Sequence, residues 1–206
     1  MLEKLIVFVE EYSMEVALEH LLPKLLDTAD FEIRRFQCKD DLLKNLPARL
    51  KALSTWLPQG WAILVAVDRD DDDALELKGR LEAMAKAAGL TTKSTAAAGK
   101  SFHVANRLVV EELEAWFFGD WSAVRMAYPR VPEGVPRRAA FRDADSIRGG
   151  TWEALERILK NAGYFSTGLR KLECARAVAQ HMNPPDNTSR SFIAFRQAID
   201  VAKQVV

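Results

Sequence analysis

The chain carries no surplus of either charge: 29 Lys and Arg balance 29 Asp and Glu over 206 residues, for a formal net charge of zero. Nothing in that balance draws the whole molecule toward nucleic acid or an anionic membrane, so any nucleic-acid surface has to be a local basic patch. Cysteine is scarce as well. Cys38 and Cys174 are the two present, far apart and without a metal-type spacing, which points to a reducing cytoplasm rather than a disulfide scaffold. No apolar run is long enough to span a bilayer, and the sequence reads as a cytoplasmic protein with no membrane partner. His20, His103 and His181 share no zinc spacing, and no Gly-x-Ser-x-Gly elbow occurs. Gly99-Lys100-Ser101 resembles the end of a phosphate loop, but Ser94 stands where its first glycine belongs. Zinc chemistry, covalent hydrolysis and a self-contained nucleotide loop are thereby set aside.

What the sequence does contain is an alternation of strand and helix signals. Leu5-Ile6-Val7-Phe8-Val9 and Trp61-Ala62-Ile63-Leu64-Val65-Ala66-Val67 are short, unbroken and rich in branched residues, the signature of strands buried on both faces. Phe31 to Phe36 alternates as a third strand, and strand-like pieces lie at Leu90–Lys93 and Val104–Val110. Between them, Met14 to Leu25, Leu42 to Leu57 and Leu75 to Ala88 repeat apolar residues at helical spacing. Ser13 is expected to cap the first of these helices, Pro23 to kink or divide it, and Pro47 to restart the second. The pattern predicts an α/β fold, a mostly parallel sheet flanked by crossover helices. Three stretches follow: an α/β domain over 1–128, a Pro/Arg-rich connection over 129–150, and a helical C-terminal third over 151–206. The connection holds Pro129, Pro132 and Pro136 among Arg130, Arg137, Arg138, Arg142 and Arg148, and reads as an exposed solubilising loop or a phosphate clamp. The last third either packs on the same domain or forms a small subdomain.

Acid gathers where the strands end. The Trp61 strand runs into Asp68-Arg69-Asp70-Asp71-Asp72-Asp73, and the first strand into Glu10-Glu11. Alternation along an extended chain puts Asp68 and Asp70 on one face, where two carboxylates repel and favour a shared proton or a bound hard cation such as Mg²⁺, Mn²⁺ or Ca²⁺. The plainer reading is an acidic loop capping the next helix. Asp71, Asp72 and Asp73 fit that reading better than Asp68 and Asp70 do. Glu112 and Glu114 open a later helix that carries Leu113, Trp116 and Phe117 on one face, and Lys39 lies in the turn after the third strand.

Four blocks carry a family resemblance: Val9-Glu10-Glu11-Tyr12-Ser13-Met14-Glu15, Phe36-Gln37-Cys38-Lys39-Asp40-Asp41-Leu42, Val67-Asp68-Arg69-Asp70, and Glu112-Leu113-Glu114-Ala115-Trp116 with Gly119-Asp120. In this order they resemble a bacterial family, domain of unknown function 4276, that is regarded as Toprim-like. The resemblance implies a Toprim-like sheet with Glu10 as the acid/base candidate and Asp68 and Asp70 as ligands of Mg²⁺ or Mn²⁺. Glu11 stands beside Glu10 as the alternative acid, Lys39 could neutralise a phosphate, and Glu112 and Glu114 could extend the carboxylate cluster. Glu11 occupies a position where many Toprim sequences have glycine, Tyr12 replaces a proline and Cys38 a glycine, and these departures bear on which acid is used. The implied activity is metal-dependent phosphodiester chemistry, a nuclease in a bacterial defence module, with nucleic acid and an ATPase as partners. The rival implication is a non-catalytic binding or regulatory subunit of an ATPase-containing complex.

Overall fold

The computed structural model describes every residue except Asp71, Glu111 and Val206, and of Val205 the backbone alone. The first half alternates as its periodicity requires: β1 (Lys4–Val9), α1 (Tyr12–Leu25), β2 (Asp30–Arg35), α2 (Lys39–Ser54), β3 (Trp61–Asp68), α3 (Ala74–Ala87) and β4 (Val104–Val109). Helices α4 (Glu114–Gly119), α5 (Trp121–Ala127), α6 (Thr151–Asn161), α7 (Lys171–Ala179) and α8 (Arg190–Val205) complete the described chain, with short 3₁₀ turns between them.

The four strands form one parallel sheet in the order β2-β1-β3-β4. Its two central strands are buried almost throughout, which is why they read as unbroken apolar runs rather than as alternating ones. Leu5, Val7, Val9, Leu64 and Ala66 face one layer, made by α1 and the helices from α4 to α8. Ile6, Phe8, Ile63, Val65 and Val67 face the other, made by α2 and α3. The C-terminal helices therefore share a hydrophobic core with the sheet. Lys24 of α1 reinforces the union by donating to the carbonyls of Ala179, Gln180 and Met182 at 3.2, 2.8 and 2.8 Å, which satisfies the carboxyl end of α7.

Several local expectations need correction. Helices α1 and α2 run unbroken through Pro23 and Pro47. Both prolines are exposed, on helices whose other faces are buried in the core, and that packing holds each helix continuous through its proline. The N-cap of α1 is Glu11, and the Ser13 hydroxyl donates to the Glu11 carboxylate instead of capping the helix. Leu90–Lys93 forms no strand; it contributes one parallel bridge, Thr92 to Val104. The 129–150 connection is packed rather than freely exposed, with Val135, Ala144 and Ile147 in the core. Its Asp145 carboxylate accepts from the hydroxyls of Ser189 and Ser191 at 2.9 and 2.7 Å and from the Arg190 amide at 2.6 Å, fastening the segment to the start of α8. Asp73 caps α3 by accepting from the amides of Leu75 and Glu76, as expected. Asp71, assigned to the same cap, and Glu111, at the expected start of the Glu112 helix, lie outside the described residues.

Candidate functional site

The strand order determines where a site can form. The chain leaves β1 toward β2 on one side and β3 toward β4 on the other, so their connections diverge at the carboxyl ends of β1 and β3. That divergence opens the crevice in which parallel α/β sheets bind ligands. Glu10 follows β1 and Asp68 ends β3, so the two acids occupy its two lips.

They touch. Glu10 Oε1 accepts the backbone N–H of Asp68 at 3.1 Å, and both side chains are almost completely buried, at 6% and 5% exposure. Glu10 Oε2 and Asp68 Oδ1 are buried without a hydrogen-bond partner among the described residues. A buried, unmatched carboxylate oxygen is costly, so such a pair favours protons or a cation. Burial pushes Glu10 up to about 7, against the lowering effects of Lys39 and of the Asp68 amide. Burial, then the Glu10 charge, holds Asp68 well above the usual carboxylate range.

Asp70 takes a different course from the one alternation predicts. The strand stops at Asp68, and Asp70 has a φ of +48°, so the extended geometry that aligned the two aspartates ends between them. Asp70 is half exposed, and its carboxylate meets the Lys39 ammonium at 2.6 Å. Lys39 also reaches Asp72 at 2.9 Å and the Arg69 carbonyl at 3.1 Å, bridging the start of α2 to the acidic loop. Burial lowers its pKa, but the bonds to Asp70 and Asp72 outweigh that and leave it raised.

The other predicted residues lie around the same crevice with different partners. The Glu11 charge acts on both Glu10 and Asp68, and its own carboxylate takes the Ser13 hydroxyl. Glu112 is occupied: it accepts from the Thr151 hydroxyl and the Trp152 amide, both at 3.0 Å, and so caps α6 from a distant part of the chain. Glu114 is buried in the first turn of α4, and burial pushes it up to about 7 against the opposing charge of Lys171.

Lys171 is the residue that sequence reasoning missed. It begins α7 and stands 5.1 Å over the Trp152 ring and 3.9 Å from Glu112. Burial lowers its pKa, yet Glu114, Glu11, Glu112 and Asp68 together leave it raised. A lysine at the first position of a helix opposes the helix dipole, and that misfit was the available signal. Nothing in the order of residues showed which carboxylates offset it.

Among the described residues, no three His, Cys, Asp or Glu side chains are arranged to hold a metal ion. The Glu10–Asp68 pair nevertheless suits Mg²⁺, a hard cation that keeps several waters and is commonly held by one or two carboxylates. The unmatched buried oxygens supply the donor chemistry.

Fold and site together define a parallel α/β protein with a buried carboxylate pair at its topological switch point. The chain belongs to the family described as Domain of unknown function (DUF4276), whose profile matches residues 9–200. A solved structure titled "C-terminal region of the Burkholderia pseudomallei OLD protein" is similar to it at 17% identity and a TM-score of 0.49, over 98% of this chain and 99% of that one. No curated protein matches the chain.

Proposed function

We propose that the protein acts on phosphodiesters with Mg²⁺ or Mn²⁺, as the nuclease component of a bacterial defence module that works beside an ATPase. The observation that carries this reading is the pair of buried, unmatched carboxylate oxygens of Glu10 and Asp68 at the switch point. The Toprim resemblance, which places an acid after the first strand and Asp-x-Asp after a later one, supports it.

In this reading Glu10 and Asp68 would hold the cation, with Asp70, now paired with Lys39, as a further carboxylate near it. The bound ion would stabilise charge on phosphate and lower the pKa of water. With no ion bound, Glu10, pushed up to about 7, holds or releases a proton near neutral pH, and a cation would displace that proton. Glu11 orders the turn into α1 through Ser13 and adds negative charge to the crevice. Lys39 and Lys171 approach the carboxylates from opposite layers of the sheet, and Lys39 can exchange Asp70 for a phosphate oxygen. Glu112 and Glu114 hold α6 and Lys171 in place.

One observation favours a second reading. The Lys39–Asp70 contact at 2.6 Å closes the acidic loop, as a binding or regulatory subunit without catalysis could keep it. Purified protein incubated with DNA and RNA in Mn²⁺ or Mg²⁺ decides between them. The first reading expects cleavage that Asp68→Asn abolishes while the variant stays folded by circular dichroism. Cleavage undiminished in Asp68→Asn would remove the metal assignment; metal-independent inertness with stable co-purification of an ATPase would establish the second reading.

A further inference from the structure

A groove of about 610 Å³ opens beside the edge strand β2, between it and α2. Arg34 and Arg35 leave the end of β2, Arg49 comes from α2, and Gln37 and Asn45 add amide groups. Two guanidinium groups, of Arg34 and Arg49, face each other across the groove in a chain whose net charge is zero.

The arginines are not fully used by the fold. Arg34 bonds Glu32 through Nε at 2.7 Å and lies 6.0 Å from the Phe8 ring; no other hydrogen bond engages it among the described residues. Arg35, by contrast, turns to the other face of the sheet: it bonds Glu15 of α1 through Nε at 2.8 Å and the Phe36 carbonyl through one terminal nitrogen at 3.2 Å, and its guanidinium lies 5.0 Å over the Tyr12 ring. Arg49 is exposed and has no partner among the described residues. The one acid of the lining, Asp41, is turned to local work, accepting from the Gln37 amide and the Asn45 side chain at 3.0 and 2.6 Å. Charge on an edge strand also guards against edge-to-edge pairing, but that explains Arg34 and Arg35 and not Arg49, which belongs to the helix across the groove.

The groove leads to the acidic centre. Arg35 pairs with Val9, the residue before Glu10, and the Phe36 amide bonds the Val9 carbonyl at 2.9 Å. Lys39 follows two residues after Gln37 and reaches the Asp70 loop. The floor is formed by Phe8 and Phe36, whose rings are buried and 5.8 Å apart, so no exposed aromatic face is offered for a base to stack on.

From this we infer that the β2–α2 groove grips the sugar-phosphate backbone of a nucleic-acid strand through Arg34 and Arg49, and leads that strand toward Glu10 and Asp68. The inference rests on the phosphodiester reading of that centre and adds the surface that holds the polymer. Binding should be insensitive to base sequence and strongly dependent on salt, because guanidinium-to-phosphate contacts release counterions.

The test is fluorescence anisotropy with a fluorescein-labelled oligonucleotide in EDTA, which separates binding from metal chemistry. Wild type should bind in EDTA, with an affinity that falls steeply as salt rises. Arg49→Glu, at an exposed residue without a partner, should weaken binding about tenfold, and Arg34→Gln with Arg49→Glu should lower the slope of log affinity against log salt by roughly one to two. Unchanged affinity and slope in both variants, with the fold intact by circular dichroism, overturns the inference. So does loss of binding in Arg137→Glu with Arg138→Glu but not in Arg49→Glu, or competition by inorganic phosphate as effective as by unlabelled oligonucleotide. Intact groove-dependent binding without metal-dependent cleavage supports the groove and counts against catalysis alone.

Discussion

Glu10 and Asp68, 58 residues apart, are joined by one bond from the Asp68 amide to Glu10 Oε1 at 3.1 Å, which leaves an unmatched oxygen on each side chain. In EDTA the pair is a liability, because two carboxylates share a buried space. Asp68→Asn removes the like-charge repulsion and should raise the melting temperature at pH 8 by about 3–6 °C, corresponding to on the order of 1–2 kcal/mol. Mn²⁺ should raise it for wild type and not for the variant. Differential scanning fluorimetry with and without Mn²⁺ measures both, and an equal Mn²⁺ shift in the two proteins would refute the shared site.

The pH dependence follows from the same burial. Glu10 and Glu114 are pushed up to about 7, and Asp68 upward as well. A carboxyl whose pKa rises on folding binds more protons in the folded state, so its contribution is fully present below the unfolded value and is lost as pH rises through the folded one. Metal-free protein should therefore lose stability between pH 5.5 and 8. Glu82 is held down to about 2, where burial is outweighed by the nearby hydroxyls of Thr92 and Ser94, the Asn106 amide and the Lys78 ammonium, so its support disappears only in acid. Glu114→Gln should flatten the slope from pH 5.5 to 8, with a gain on the order of 2 kcal/mol at pH 8. Urea unfolding at the two pH values checks this, and a stability that rises with pH in wild type would contradict it.

Lys39 holds Asp70 at 2.6 Å and Asp72 at 2.9 Å. Replacing it with Ala frees a third carboxylate beside the pair while removing a positive charge that repels a cation. Mn²⁺ affinity, measured by calorimetry, should rise roughly fivefold, an effect of about 1 kcal/mol. Weaker binding in Lys39→Ala would show that Lys39 organises the acidic loop for the metal rather than withholding Asp70 from it.

Glu112 gives a contrasting result, because its carboxylate already accepts from Thr151 and Trp152. Glu112→Ala should cost about 1–2 kcal/mol by uncapping α6, read as a lower urea midpoint, while the Mn²⁺-induced rise in melting temperature persists. Loss of that rise with unaltered stability would instead make Glu112 a metal ligand.

Much of the scaffold was legible because it is local. Unbroken branched runs read as doubly buried strands, and helical spacing marked α1, α2 and α3; Asp71, Asp72 and Asp73 read together as the start and cap of the Leu75 helix, and Asp73 is the residue that caps it. The prolines misled because Pro23 and Pro47 stand on the exposed sides of helices whose other faces are held in the core, and that holding is a property of the packed molecule.

The acidic run divides along the same line. Sequence by itself determined that β1 and β3 are buried strands and that acid follows each of them, since pattern and adjacency are properties of the chain. Only the tertiary structure decided which acids meet. The order β2-β1-β3-β4 brings Glu10 to Asp68, the left-handed Asp70 turns to Lys39, and Lys171 arrives from a helix more than a hundred residues away. Partners of that kind are chosen by the closure of the sheet and the burial of charge, and these belong to no single segment.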